Sequence, residues 1–284
     1  LLLPLIPDIA RLRDRKVGLH WLYKILAFGW KGTHEQERKL EIAISVMAIL
    51  VIPIAISVHT VVSWVFGMTV QPMWHSTIFG PYFVVGAIYS GIAALLITMA
   101  IIRKVYHFEN YMKDIHFENM GKLLVVFTLL WFYFTFTEYL TTFYGSEPTH
   151  MAVFWSKLTG PYAPAFWTMV LCCFVIPLII LSRKKTRNVT GCVIASSAII
   201  VGMWLERFTI VVPTLINPRL PGAPGQYYPT WVEWSITAGC FAFFILLYMA
   251  FTKVFPIISI WEVEEGRKTS VSDTAERVKT YLPE

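Results

Sequence analysis

Six stretches of the sequence are apolar enough to cross a bilayer: 42–67, 78–102, 121–144, 165–181, 190–212 and 234–255. A hydrocarbon core of roughly 30 Å takes about 20 apolar residues in helical form. The fourth stretch is short and is expected to begin earlier, across Pro164. Backbone N–H and C=O groups cannot stay unpaired in lipid, so a spanning segment is either a helix or a strand of a closed barrel. The period-two alternation of a barrel strand is absent. The expectation is therefore an all-α membrane protein with six transmembrane helices and four-helix-bundle packing. At 56% hydrophobic and 15% charged residues, the composition excludes a soluble globule, for which about a quarter charged is usual. It also excludes a disordered chain and a nucleic-acid module. The opening LLLPLIPDIA reads as the end of a truncated upstream helix, so that these six spans would follow earlier ones.

The basic residues predict the orientation. Of the 24 Lys and Arg, all but Lys157, Arg207 and Arg219 fall on one side of the six spans. They cluster before the first span (Arg11 to Lys39), after the second (Arg103, Lys104, Lys113), after the fourth (Arg183 to Arg187) and in the tail (Arg267, Lys268, Arg277, Lys279). Excess Lys and Arg marks cytoplasmic loops, which places both ends of this chain in the cytoplasm. The opposite loops hold many aromatic residues, among them Trp74, Tyr162 and Trp231, as an interfacial belt does. The apolar stretch 17–30 is too short to span and is expected along the interface. Gly86, Ser90 and Ala94, and again Ala198 and Gly202, recur at every fourth position. Such small residues let helices approach closely. Pro53 and Pro177 are expected to kink their helices.

Familiar cofactor motifs are missing. Cys172, Cys173, Cys192 and Cys240 show no CxxC or CxxCH spacing, so no iron–sulfur cluster, covalent haem or other metal is expected on this chain. No P-loop, GxGxxG, HExxH or GxSxG occurs. What remains are ionisable residues inside spans: His59, Glu138, Glu206 and Arg207. These are costly in lipid and face a protein interior or water. His59, Glu138 and Glu206 each lie about 16–17 residues from the cytoplasmic end of an outward-running helix, or roughly 25 Å at 1.5 Å per residue. Tyr139, Thr135 and Thr137 add hydroxyls beside Glu138. Glu206 and Arg207 project about 100° apart on an ideal helix, so Arg207 is expected to pair with Glu138. Two readings stand side by side: a structural ion pair locking two helices, and a proton relay beside a redox ligand. His75, His116 and Glu118 sit in or near loops, and the histidines read as solvated. Glu41 and Glu118 near the cytoplasmic ends are either the start of a proton path or ordinary end-of-helix residues, and the sequon at Asn188 is discounted because its loop is cytoplasmic.

The runs SVHTVVSW (57–64), MWHSTIFGPYFVVGAIYSG (73–91), IHFENMGKLL (115–124), WLERFTIVVP (204–213) and YPTWVEW (228–234) resemble the NrfD/PsrC family of quinone-interacting membrane subunits. Within it they are most similar to the large membrane subunit of bacterial alternative complex III. The resemblance implies eight to ten spans in two four-helix bundles, of which these six are the last. Residues 1–41 are then a cytoplasmic segment, 42–67 the helix completing the first, quinol-binding bundle, and 78–212 the second bundle. An external loop and final helix follow over 213–255, and a cytoplasmic tail over 256–284. The resemblance further implies a bacterial inner-membrane subunit of a quinol oxidoreductase rather than an enzyme alone. Menaquinol or ubiquinol is the substrate, and this chain holds no cofactor. Iron–sulfur clusters and haem are expected in partners: a periplasmic ferredoxin-like subunit, a homologous membrane subunit and cytochrome c subunits. The main quinol-pocket residues of such proteins fall upstream of this sequence. His59, Ser63 and Trp64 are the quinol-adjacent candidates here, with Val65 where many relatives have an acid. Glu138, Tyr139, Glu206 and Arg207 are the proton-path candidates, and no catalytic residue is assigned.

Three other readings compete. The chain could anchor a polysulfide-reductase-type molybdoenzyme. A proton-coupled transporter also carries intramembrane Glu and Arg, but paired broken helices near the midplane are not evident. An inert membrane scaffold would keep the packing glycines and have no need of Glu138 or Glu206.

Overall fold

The computed structural model describes residues 3–16, 18–217, 225, 227–261 and 263, and these contain ten α-helices. Arg219 and the tail from 264 onward lie outside the described residues. In order the helices are α1 (Ile6–Asp14), α2 (His20–Leu26), α3 (His34–Gly67), α4 (Phe79–Val105), α5 (Asp114–Gly145), α6 (Pro148–Leu158), α7 (Ala163–Val170), α8 (Ile176–Ser182), α9 (Val189–Ile216) and α10 (Trp231–Val254). No strand occurs among the described residues. Six helical segments are long and apolar enough to cross a membrane: α3, α4, α5, α9, α10 and the segment Ala163–Ser182 that joins α7 to α8. The protein is an all-α integral membrane protein.

Several helices outrun the apolar stretches that announce them. α3 begins at His34, and its first turns are polar, with a Lys39–Glu35 pair at 2.6 Å. α5 begins at Asp114, whose carboxylate meets Arg103 at 2.7 Å. Hydropathy marks where a helix is in lipid, whereas backbone hydrogen bonding carries it on into water.

The fourth span starts across Pro164, as expected, and contains a wide turn. Residues Leu171–Val175 are π-helical, ending two residues before Pro177. Proline has no N–H to give to the carbonyl four residues back, here that of Cys173. The Tyr89 hydroxyl supplies the missing donor, bonding to Cys173 O at 2.8 Å, and it lies 2.8 Å from Thr128 Oγ1.

The chain forms two compact units, 1–53 with 229–284 and 54–228. In the first, Asp8 is fully buried. Its carboxylate accepts from the backbone N–H groups of Ile260 (2.9 Å) and Trp261 (3.0 Å), while Tyr23 donates to Val254 O at 2.9 Å. No side chain of α10 is buried. The second unit packs α4, α5, α7–α8 and α9 around one core that includes Tyr89, Leu96, Leu124, Trp131, Met169 and Ile199. α9 packs closely against the wide turn because it carries Gly202. A Cβ there would come within 2.5 Å of Cys173 Sγ and 2.9 Å of Cys172 Cβ.

The second unit has two unlike ends. At one, Arg187 donates to Leu181 O, capping α8 at 3.0 Å, and approaches Glu118 at 3.4 Å; Lys122 meets the same carboxylate at 3.2 Å. Asn188, the residue of the discounted sequon, caps α9 by accepting from Gly191 N at 2.8 Å. The other end is closed by the 68–78 loop and by α6.

Candidate functional site

The α6 end of the second unit contains a buried polar cluster. Glu206 on α9 is 1% exposed, and one carboxylate oxygen accepts from Trp131 Nε1 on α5 at 2.5 Å. Its other oxygen makes no hydrogen bond among the described residues and stands 3.5 Å from Arg207 Nη2. Arg207 lies over the Phe83 ring at 4.1 Å, and its Nη1 is buried without a hydrogen-bond acceptor. Gly86 makes room for this guanidinium: a Cβ there would sit 2.9 Å from Nη2. The expected Arg207–Glu138 pair is thus replaced by an Arg207–Glu206 pair within α9. A long guanidinium stem bends back to its neighbour, despite the angular separation of adjacent helical residues, when an aromatic face holds it there.

Glu138 on α5 is buried as well, at 6% exposure, and accepts from Ser76 Oγ at 2.6 Å. Tyr139 follows it and feels the charges of both Glu138 and Glu206. Tyr82 on α4 lies in the field of Glu206 and accepts from Thr135 Oγ1 at 3.5 Å. The structure therefore brings Glu138, Tyr139, Glu206 and Arg207 into one neighbourhood and adds Tyr82, Trp131 and Ser76. Hydroxyls between two buried carboxylates can both accept and donate a proton, as a hydrogen-bonded relay requires.

One charged residue here escaped the sequence reading. Lys157, one of the three basic residues off the cytoplasmic side, sits on α6 at 4% exposure. Its Nζ approaches Met73 Sδ at 3.8 Å and lies in the field of Glu138. Burial pushes the ammonium down to about 8, and only the nearby carboxylate opposes that shift. A signal was present: Lys157 follows Val153 and Phe154 at i+4 and i+3, the buried face of the helix. Lys157, Glu138, Tyr139 and Tyr82 help to line a small cavity of about 20 Å³, enough for one water molecule.

His59, Ser63 and Trp64 lie on α3, also in the second unit. His59 is half-buried. Its Nδ1 is 2.8 Å from Ala55 O. A carbonyl only accepts, so Nδ1 carries the proton and Nε2 is left as an acceptor. Ser63 is fully buried and donates to Thr60 O at 2.7 Å, whereas Trp64 is 59% exposed. No hydrogen bond or ion pair joins these three to the carboxylate cluster among the described residues. Nor does any group of three or more His, Cys, Asp or Glu there form a metal-binding set.

The chain is similar to known proteins over most of its length. It is 27% identical over 253 residues, 81% of this chain, to the Hdr-like menaquinol oxidoreductase integral membrane subunit of Archaeoglobus fulgidus. It is 24% identical over 232 residues, 74% of this chain, to a putative dimethyl sulfoxide reductase membrane subunit of Halobacterium salinarum. It spans 62% and 53% of the lengths of these two relatives. Residues 11–218 match the family described as "Polysulphide reductase, NrfD". With that match covering well over half the sequence, the chain belongs to the NrfD family of membrane proteins.

Proposed function

We propose that this chain is a quinol-interacting membrane subunit of a respiratory oxidoreductase complex, of the alternative complex III type. It binds menaquinol or ubiquinol near the periplasmic face, passes the electrons to a partner iron–sulfur subunit and conducts protons. The observation that carries the reading is the cluster of buried Glu138, Glu206 and Tyr82 with half-buried Tyr139 and Arg207 beside them, within a helix bundle of an NrfD-family protein. Such groups are costly to bury and serve no packing need that apolar side chains would not meet better.

The chemistry divides naturally. Oxidising a quinol to a quinone releases two protons and two electrons. The electrons need a metal centre, which the proposal assigns to a periplasmic ferredoxin-like subunit, with haem in cytochrome c subunits beyond it. The protons need acceptors, and His59 has its Nε2 open for a quinol hydroxyl. Ser63 and Trp64 supply a hydroxyl and an aromatic face nearby. With the basic end of the bundle cytoplasmic, the carboxylate cluster lies toward the periplasm.

Variants of the full-length protein in its complex test this. His59→Ala is expected to lower quinol oxidation at least tenfold and to weaken quinone-site inhibitors. Glu138→Gln and Glu206→Gln are expected to lower the protons released per electron while the complex still assembles. Unchanged turnover, inhibitor affinity and proton yield in all three assembled complexes would reduce the chain to a scaffold.

A further inference from the structure

Lys157 is more than a neighbour of the cluster. An ammonium has three donors and no acceptor, yet the hydrogen-bonding atom beside Nζ is a thioether sulfur, a weak acceptor. Glu138 lines the same small cavity as Lys157. No direct Lys157–Glu138 ion pair closes among the described residues, and both residues line a cavity that fits one water. On the far side of Glu138, the hydroxyl of half-buried Ser76 donates to the carboxylate. His75, the next residue back along the chain, is exposed, and its ring lies 4.8 Å from that of His150 on α6. His150 Nε2 is 3.7 Å from Glu147, which is 61% exposed.

We propose that Lys157 and Glu138 form a buried proton-exchanging pair across a water-sized cavity, and that Ser76 and His75 connect this pair to water at the α6 end. The inference rests on the reading that protons pass through Glu138, and it adds the terminus of that route. The pair is neutral whether it holds carboxylate and ammonium or carboxylic acid and amine. A proton therefore moves within it without placing net charge in a dry interior. A proton arriving from the Glu206 side leaves carboxylic acid beside ammonium, one net positive charge that the low-dielectric surroundings disfavour. One proton then leaves through the Ser76 hydroxyl toward the solvent beside exposed His75. One enters and one departs, and the pair returns to neutrality.

The charged and titratable groups around the pair are few. α5 contributes Glu138 and Tyr139, α4 contributes Tyr82, and α9 contributes Glu206 and Arg207. The 68–78 loop contributes His75, and α6 itself contributes His150 and, just before it, Glu147. α7, also packed on α6, carries no titratable side chain. Burial holds Lys157 low enough to lose its proton near pH 8, and it holds His150 below the usual histidine range.

The test uses the assembled complex and two readouts. Infrared difference spectra on a pH jump report the Glu138 carboxyl band, assigned by its loss in Glu138→Gln. Proton release into a dye reports the exit rate. The expected result is a shifted Glu138 band in Lys157→Met, together with loss of the ionisation near pH 8. Lys157→Arg keeps its charge at every pH used and is expected to remove the same ionisation while leaving the carboxylate charged. Ser76→Ala is expected to slow proton release at least tenfold with no change in assembly. A wild-type band and pH profile in Lys157→Met, or in Lys157→Arg should the former not assemble, would overturn the pair. Wild-type release in Ser76→Ala would overturn the exit. The infrared measurement needs no quinol turnover, so it separates failure of the pair from failure of the proposed quinol function.

Discussion

At the scale of single residues, the interior of the second unit is held by polar atoms that each answer a specific backbone or side-chain need. Tyr89 is fully buried, and its hydroxyl satisfies the Cys173 carbonyl that Pro177 leaves without a helical donor. Tyr89→Phe keeps the ring and removes the donor. It is expected to cost about 1–3 kcal/mol, the range for a buried group left unpaired, and to lower the denaturation midpoint in detergent. Quinol oxidation at moderate temperature should be retained, because Tyr89 lies outside the carboxylate cluster. Legibility from the sequence also differs residue by residue. Glu138, Glu206 and Arg207 stood out because a charge inside an apolar run is conspicuous. Tyr82, Trp131 and Ser76 did not, since a Tyr or Trp in a membrane helix, or a Ser in a loop, is ordinary until its partner is known. Lys157 was misread for a related reason. Its segment is too short to span and therefore looked like a loop, although the i, i+3 and i+4 positions of α6 put it on the buried face. The Arg207 partner was misassigned because ideal helical angles ignore how far a long side chain bends toward a ring such as Phe83.

At the scale of elements, hydropathy located all six spans, and the proline at position 164 was correctly read as lying inside the fourth. The polar extensions of α3 and α5 were invisible to hydropathy, because those turns lie beyond the apolar stretch. The π-helical turn at Leu171–Val175 was invisible too. Pro177 announces a disturbed helix, but whether it kinks or widens depends on what packs against it. Here the neighbour is α9, and Gly202 fits against the cysteines of the wide turn. Gly202→Val should therefore damage this contact, since added methyl groups would enter space already held by Cys173 Sγ and Cys172 Cβ. Overpacking costs typically about 1–3 kcal/mol and sometimes more. Gly91→Ala is the matched control. Nothing lies within 4 Å of a Cβ at Gly91, and alanine in a helix gains roughly 0.5–1 kcal/mol over glycine. Size-exclusion yield and thermal midpoint of the two variants should move in opposite directions.

At the scale of the whole molecule, the proposed chemistry depends on which way the bundle faces. Within the second unit the ends differ in charge. Among the described residues, one end gathers Arg103, Lys104, Lys113, Lys122, Lys184 and Arg187, and the connections at the other offer Lys157, which is buried. A buried lysine is not a loop charge, so among the described residues the asymmetry in exposed charge is sharper than the sequence count implies. The positive-inside rule then puts the α4–α5 connection in the cytoplasm and the α5–α6 connection outside. A reporter inserted at Tyr111, between α4 and α5, is expected to read cytoplasmic, and one inserted at Ser146 to read periplasmic. Ser146 suits the purpose because it is an exposed left-handed cap ending α5. The opposite pattern would leave the carboxylate cluster intact but aim it at the cytoplasm. Ser76 and His75 would then admit protons rather than release them, and an iron–sulfur partner on the periplasmic side would meet the basic end. The two reporter readings therefore decide whether Glu138 and Lys157 stand at the exit of the route or at its entrance.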